Sequence, residues 1–561
     1  MGRLIAPLYT CGWGTRPHLR HTHENVQDTL PRMNAPLATP ALKASRPRIA
    51  IVGAGPGGLA SAMLLAAQGA QVTIFEKDKV VGGRTRTLAT PEGFRFDLGP
   101  TFFLYPRVIA EIFSSVGARL EDEARLIRVD PLYRLFFEGA ASIDATADPV
   151  RMEAEIAKLC PQDAKGFRAF IAENRAKLEV FRPVLEKPFE SIFRFLHPEV
   201  LKSLKLLRPH STVDRDLARH FSHPLVRLAF SFQTKYLGMS PFRCPSLFTI
   251  LSFLEYEHGI WHIEGGCGSI SEAMARVAQR LGVEIRFEAP VEHIAFDGRR
   301  ATGLTVGGAH HAADAVVVNA DFAHSMPYLM PEALRPRWKD AKIETARYSC
   351  STFMLYLGIE GSYPDLAHHT VMLSEGYERN IRQLETGILP DQPSLYLHNP
   401  SILDPTMAPP GHSALYLLVP VPNLRDAKAQ GFDWAAEAPR FRRLVLDRLA
   451  KLGLGDLESR IRTERMVTPV EWRDEYAVGH GATFNLSHDL SQMLCFRPQN
   501  RFAGVEGVYL VGGGTHPGSG LPVIYEGARI TTRLLAADLG LRPGPAVPFM
   551  GGLAPALEPA R

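Results

Sequence analysis

The chain has 561 residues, of which 45% are apolar and 22% charged, with a formal net charge of +4. That balance suits a folded protein of roughly two or three domains, and lysines and arginines scattered among acids without long basic runs give no ground for a nucleic-acid partner. The six cysteines, Cys11, Cys160, Cys244, Cys267, Cys350 and Cys495, stand far apart and form no CxxC pair, so neither a disulfide framework nor a metal site is expected, and a reducing compartment fits best.

Residues 1–46 show no apolar periodicity and no signal-peptide core. With Arg16, Pro17, His18 and Arg20 among them, they are expected to be disordered. Met33 opens an Ala/Pro/Thr-rich lead and is a candidate start, while His21 and His23 read as solvated because no further ligands gather near them. The pattern changes at Arg48, where RIAIVGAGPGG runs a short apolar strand into a glycine turn. Ile49, Ile51 and Val52 are strand formers, Gly53 allows the tight turn, Gly55 lets the backbone approach a pyrophosphate, and Gly58 lets the next helix pack closely. A helix is predicted over Leu59 to Gln68 with Gly69 as its stop, then a strand over Gln71 to Phe75 ending at Glu76, an acid placed for a ribose hydroxyl pair. Glycines and Pro56 break the uncharged run from Ile49 to Phe75, and no other stretch approaches the roughly 18 apolar residues of a membrane span.

After Lys79 come VVGGRTRT and FRFDLGPTFF. Gly82, Gly83 and Arg84 form either an extension of a phosphate site, with the arginine supplying charge-assisted hydrogen bonds, or a surface turn with a solvated arginine. Phe94, Phe96 and Leu98 alternate before Gly99, Pro100 and Thr101. From Phe181 to Arg208, apolar residues including Phe189, Ile192, Phe193, Leu196, Leu201 and Leu204 alternate with Lys187, Arg194, Lys202 and Lys205. This reads as a basic amphipathic helix, lying either on an anionic membrane surface or on the protein core with a solvated basic face. In Trp261 to Asp321, Ser269 and Glu272 are expected to form a capping box for a helix carrying Ile270, Met274, Val277 and Leu281. Strands follow at Val283 to Phe287, Val291 to Phe296 and Ala301 to Val306, suited to a small antiparallel sheet, and a buried strand at Ala315 to Asn319 ends in Asn-Ala-Asp. Aromatic-rich strands around Tyr348 to Leu357 and Ala414 to Val421 are candidates to line an elongated pocket. Val508 to Val511 repeats the opening logic, feeding Gly512, Gly513 and Gly514 and then a helix from about Pro522 to Leu539, before a Pro/Gly-rich loose tail.

GAGPGGL, Glu76 and VGGRTRT in this order resemble the N-terminal half of the flavoprotein superfamily that contains amine oxidases and carotenoid desaturases. VYLVGGGTHPGSGLPVIYEGA, with Gly514, Thr515, His516, Pro517, Gly518, Gly520 and Pro522 in place, is similar to the closing signature of the bacterial carotenoid (phytoene) desaturase family, as is FRPQNR at 496–501. The resemblance runs from Arg48 to about Leu541 and is diffuse between Ala141 and Pro241. It implies an α/β fold, a Rossmann-like FAD-binding domain built from discontinuous segments plus an inserted α+β substrate domain. The expected divisions are a disordered 1–46; FAD-binding segments 47–140, 261–330 and 500–541; substrate segments 141–260, the membrane-associating one, and 331–499; and a flexible tail 542–561.

The resemblance also implies FAD as cofactor, held by Gly53, Gly55, Gly58, Glu76, Gly83, Arg84, Gly99, Thr101, the backbone of Val291, Gly514, Gly520, Leu521, Pro522 and Val523, the helix start near Val523 facing the flavin. Glu190 and Arg194, four apart on an expected helix face, are candidates for the family's polar catalytic pair, with a surface ion pair as the alternative. His516 is either catalytic or a loop brace. No side chain accepts two electrons cleanly, so FAD is expected to oxidise a long apolar carotenoid precursor such as phytoene by hydride transfer. The protein is expected to be cytoplasmic and peripherally associated with the membrane, with a homo-oligomer among its expected states. A carotenoid oxidase or ketolase, an isomerase, a squalene-type desaturase and a retinol-saturase-like enzyme share the pattern. An amine oxidase and a non-catalytic prenyl-protein binder fit it less well.

Overall fold

The computed structural model describes residues 46–542. The expected N-terminal disorder, Cys11, Met33, His21, His23 and the C-terminal tail lie outside the described residues, as do the side chains of Lys202, Leu204 and Lys205.

One half of the fold is a five-stranded parallel sheet in the order Glu284–Arg286, Gln71–Phe75, Arg48–Val52, Ala315–Val318, Val508–Leu510. Apart from the edge strand Glu284–Arg286, its strands are short and largely apolar on both faces, as a sheet covered on both sides requires. Ile49, Ile51, Val72, Ile74, Ala315 and Val317 point to one face, where the helices Pro56–Ala67, Gly268–Arg280 and Leu521–Leu539 pack. Ala50, Val52, Phe75, Val316 and Val318 point to the other. There a three-stranded antiparallel sheet (Val291–Asp297, Arg300–Val306, Ala309–Ala312) and the helix Phe322–Leu329 cover them.

Two expectations here are corrected. The strand at 284–286 belongs to the edge of the parallel sheet rather than to the small antiparallel one, because its register pairs Ile285 with Ile74. The capping box of Ser269 and Glu272 does not form, since the helix begins at Gly268 with no cap from its own side chains. Its first amides are taken instead from a distant strand pair: the Cys267 N–H donates to Asp97 (2.6 Å) and the Gly268 N–H to Thr87 Oγ1 (3.1 Å).

The other half is a seven-stranded sheet in the order Ile461–Val467, Ser351–Glu360, His412–Val421, Leu395–His398, His369–Leu373, Tyr133–Phe137, Ile143–Ala145. Phe353, Leu355, Leu357, Leu415 and Leu417 face the helix Trp434–Leu449, while Met354, Tyr356 and Tyr416 face Phe94, Phe96 and Leu98. The strand Tyr133–Phe137 pairs with His369–Leu373, so the first nucleotide segment gives way to this sheet before residue 140. Helices including Gly166–Leu185 and Thr249–His258 pack around Phe170, Phe230 and Tyr256 on the outer side.

The amphipathic stretch from Phe181 to Arg208 is not one helix. A helix ends at Leu185, a short 3-10 turn spans Ile192–Leu196 and a second helix runs Pro198–Leu207. Pro188 and Pro198 supply the breaks, as each bars the preceding residue from helical geometry. Phe189 turns inward, while Ile192, Phe193, Leu196 and Leu201 are exposed.

Candidate functional site

The first strand ends in a turn whose glycines have separate duties. Gly53 adopts φ +93°, and a Cβ on Gly58 would fall 2.2 Å from the Gly53 carbonyl oxygen, so helix and turn approach as only glycine permits. The helix Pro56–Ala67 starts with Gly55 at its N-cap, no capping side chain and no acid in its first turn. Its free amides and positive dipole end are left to an anion. Asn319 closes the turn from the neighbouring strand, its amide donating to Gly53 O at 3.1 Å. In the Asn-Ala-Asp triplet, Asp321 is the helix cap, accepting from His324 N–H at 3.2 Å; Asn319 is a buttress that the strand-end reading did not resolve.

The remaining predicted nucleotide residues converge on this turn. Glu76 is buried, and its carboxylate accepts the Ala54 N–H at 2.7 Å and the Asp78 N–H at 3.0 Å. Burial pushes its pKa up against the opposing pull of those amides. Gly82 N–H donates to Ala54 O at 2.8 Å, and a Cβ on Gly83 would lie 3.4 Å from Gly55 Cα, which places the second glycine pair directly against the first. Gly99 backs onto Arg84, where a Cβ would meet the Arg84 carbonyl at 2.7 Å. The Arg84 guanidinium donates to Thr483 O at 2.8 Å. The Asn485 amide, oriented to satisfy both neighbours, donates to Asp321 (2.6 Å) and accepts from Arg84 (3.2 Å). Val291 opens the antiparallel sheet beside Glu76, whose carbonyl accepts the Ala289 N–H at 2.8 Å.

The closing segment returns to the same point. A Cβ on Gly57 would lie 2.8 Å from Val511 and 3.1 Å from Ile524, so the first turns of the opening and closing helices abut. The closing helix Leu521–Leu539, with Gly520 as N-cap at φ +105° and Pro522 in its first turn, has no capping side chain and no acid there either. Gly513 and Gly514 press on Asn485 and Phe322, where a Cβ would come within 2.9 Å. Two uncapped helix starts and a glycine cradle that any side chain would fill are what a dinucleotide with a pyrophosphate requires, so these residues fit FAD.

Arg497, within the FRPQNR run, organises this loop. Its buried guanidinium donates to the carbonyls of Gly513 (2.7 Å), Thr515, Leu486 and Ser487 (each 3.3 Å), and burial lowers its pKa to about 9. His516 Nε2 meets Lys187 O at 3.1 Å, with burial lowering its pKa to about 4. The contact ties the closing loop to the break after the helix Gly166–Leu185.

Thr101 leads out of the nucleotide turns. Its hydroxyl lies 2.7 Å from Tyr396 OH, and Tyr416 OH donates to Gly99 O at 2.8 Å. Beyond them runs an aromatic strip. Phe102 stacks on His369 at 4.2 Å between centroids and lies 5.2 Å from Tyr396, 5.5 Å from Tyr236 and 6.2 Å from Tyr133. At its far end the buried Glu255 accepts from Tyr133 OH (3.0 Å) and Gln233 (2.9 Å), and burial raises its carboxyl to about 7. Phe102, Tyr236 and Glu255 were not singled out by sequence reading, because nothing in their local patterns distinguishes them from core residues. The strand Ser351–Glu360 is buried over nearly its whole length and forms sheet core, while Tyr416 of the strand His412–Val421 reaches the Gly99 carbonyl.

Glu190 and Arg194 do not share a helix face. Glu190 precedes the 3-10 turn and pairs with Arg501 at 3.0 Å, which also binds Asp538. The Arg194 guanidinium donates to Pro188 O at 3.3 Å.

The family model for flavin containing amine oxidoreductases matches residues 56–536. The chain is 42% identical to a diapophytoene desaturase (diapolycopene-forming) of Methylomonas sp over 88% of this chain and 96% of that protein. It is 39% identical to an all-trans-zeta-carotene desaturase of Myxococcus xanthus (91% and 96%) and 35% identical to a lycopene-forming phytoene desaturase of Pseudescherichia vulneris (87% and 99%). Among solved structures, a putrescine oxidase variant superposes with TM-score 0.58 at 16% identity, covering 89% of this chain and 99% of that one, and a cyclohexylamine oxidase of Brevibacterium oxydans with TM-score 0.56 at 17% identity, covering 88% and 100%. At that identity the likeness establishes the fold.

Proposed function

The chain belongs to the flavin containing amine oxidoreductase family and, within it, to the carotenoid desaturases, and from that premise we propose that it introduces carbon–carbon double bonds into an acyclic carotenoid precursor such as phytoene or diapophytoene. It is an FAD-dependent oxidoreductase acting on CH–CH groups. The observation that carries the substrate reading is the meeting, at Thr101 and Tyr396, of a dinucleotide cradle with a long aromatic strip.

The amides from Gly53 to Gly58, with Glu76, Gly83, Arg84, Gly99, Thr101, Val291, Gly514 and Gly520 to Val523, would hold FAD, which when bound would supply the two-electron acceptor for a hydride from an allylic carbon. The protein's own task is positioning. Phe102, Tyr236 and Tyr396 offer flat faces to a polyene and exclude water from the charge that develops along it. Glu255, with a pKa raised to about 7, is the buried group suited to accept the proton lost from the neighbouring carbon.

No helix among the described residues is long and apolar enough to cross a membrane. The exposed Ile192, Phe193, Leu196 and Leu201, with Phe193 76% exposed, form the surface by which the protein would dock on a bilayer and collect its substrate. The deciding experiment incubates FAD-loaded protein with phytoene and with diapophytoene in liposomes and reads product absorption spectra. New conjugated double bonds support the proposal; oxygenated or merely isomerised products overturn it. Phe193→Asp is expected to weaken liposome flotation while leaving bound flavin unchanged.

A further inference from the structure

Behind the aromatic strip lies a group of buried histidines that the nucleotide and substrate readings do not use. His262 sits on the strand Ile260–Ile263, His368 immediately precedes the strand His369–Leu373, and His398 ends the strand Leu395–His398. One ring nitrogen from each of these three lies within 4.8 Å of those of the other two, and all three side chains are buried. His368 Nε2 and His398 Nε2 are 3.1 Å apart, while the Nδ1 atoms of both have no hydrogen-bond partner among the described residues. Both side-chain polar atoms of Asn399, next in chain to His398, and the Thr370 hydroxyl, two residues after His368, are unpaired as well.

We propose that His262, His368 and His398 bind one divalent cation of the zinc class. The donor set is the one such ions prefer, since imidazole nitrogen suits zinc and its borderline neighbours. With bonds of roughly 2.0–2.1 Å, two nitrogens on a tetrahedral zinc stand about 3.3 Å apart, close to the 3.1 Å between His368 and His398. The third histidine carries the accessory such sites use: Asp404 lies 2.9 Å from His262 Nε2 and is itself fixed by the Gly265 N–H (2.7 Å) and Thr406, a carboxylate orienting a ligating ring.

Such an ion would staple the strand Ile260–Ile263, which leads through Gly265 into a helix of the nucleotide half, to the adjacent strands of the seven-stranded sheet. His369 pairs in register with His398, and its Nδ1 meets Tyr396 OH at 2.7 Å. The staple thus fixes the strand pair that presents Tyr396 to Thr101, and its role is positioning. The wide separation of 262, 368 and 398 in the chain hides the group from any scan for local ligand motifs.

The test uses flavin-loaded protein from zinc-supplemented growth, with metal measured by inductively coupled plasma mass spectrometry and FAD by absorbance on the same sample. About one zinc per chain is expected, falling below a tenth of that in His368→Asn and His398→Asn at unchanged FAD content. Chelation should lower the wild-type melting temperature and leave that of the variants unmoved. Wild-type protein without stoichiometric metal that also fails to take up Co2+ after chelation overturns the proposal, as do variants that retain full metal. Should either His variant lose its flavin, Co2+ titration of Asp404→Asn decides: a 10–100-fold weaker affinity supports the site, and unchanged affinity overturns it.

Discussion

The opening glycine turn and the aromatic strip meet at Thr101 yet are built on opposite plans. In the turn the working groups are backbone amides, and side chains matter chiefly by being absent: Gly53, Gly57, Gly58 and Gly83 leave the space. In the strip the working groups are rings and one carboxyl drawn from positions 102, 133, 236, 255, 369 and 396, while the backbone is ordinary strand and helix. A backbone site is intolerant of any added atom but indifferent to pH. A side-chain site tolerates trimming and answers to protonation.

The largest effect tests the first half of that contrast. Gly58→Val places atoms within 2.2 Å of Gly53 O, with an overpacking cost of roughly 2–3 kcal/mol. The purified protein is expected to hold less than about a tenth of the normal flavin, read as the ratio of flavin to protein absorbance. Normal occupancy would refute the backbone account.

Next is Glu255→Gln. The Glu255 carboxyl is raised to about 7 in the folded protein, from an ordinary 4.5, because burial disfavours its charge. Its folded form holds the extra proton between those values, so its contribution to stability is retained below pH 4.5 and is lost as pH rises to about 7, in total on the order of 3 kcal/mol. The stability difference between wild type and Glu255→Gln, from denaturant midpoints at about pH 5 and about pH 8, should shift in the variant's favour at the higher pH. A pH-independent difference would contradict the assignment.

Phe102→Ala removes the ring at the centre of the strip. A roughly tenfold lower kcat/KM on a carotenoid precursor, with flavin content unchanged, is expected; equal loss of flavin would show that the strip and the cradle are not separable. The smallest effect is assigned to Glu190→Gln. Its exposed pair with Arg501 contributes little, and turnover should change less than about twofold, whereas a drop of a hundredfold would return Glu190 to the chemistry.

These differences also explain what could be read in advance. Gly53, Gly55 and Gly58 lie within one turn, and Glu76 follows one strand later, so spacing in the chain is spacing in the site. The capping of the helix Gly268–Arg280 could not be read that way, because Asp97 and Thr87 reach it from another strand pair and displace the local Ser269 and Glu272 solution. Glu190 and Arg194 failed as a helix pair because the helix ends at Leu185 and Ser191, extended, separates Glu190 from the 3-10 turn that carries Arg194.

Periodicity and glycine spacing alone were enough for the strands near Arg48, Gln71, Ala315 and Val508, the two glycine turns and their flanking helices, though not for the strand at 284–286, since those depend on φ/ψ preferences and burial within a few residues of one another. Long-range packing was needed to bring the start of the closing helix against that of the opening one at Gly57, to bury Arg497 among the carbonyls of its loop, and to assemble the aromatic strip and the histidine group from distant strands. The physical reason is that side-chain chemistry depends on which surfaces meet, and those surfaces come together only when hundreds of intervening residues have folded.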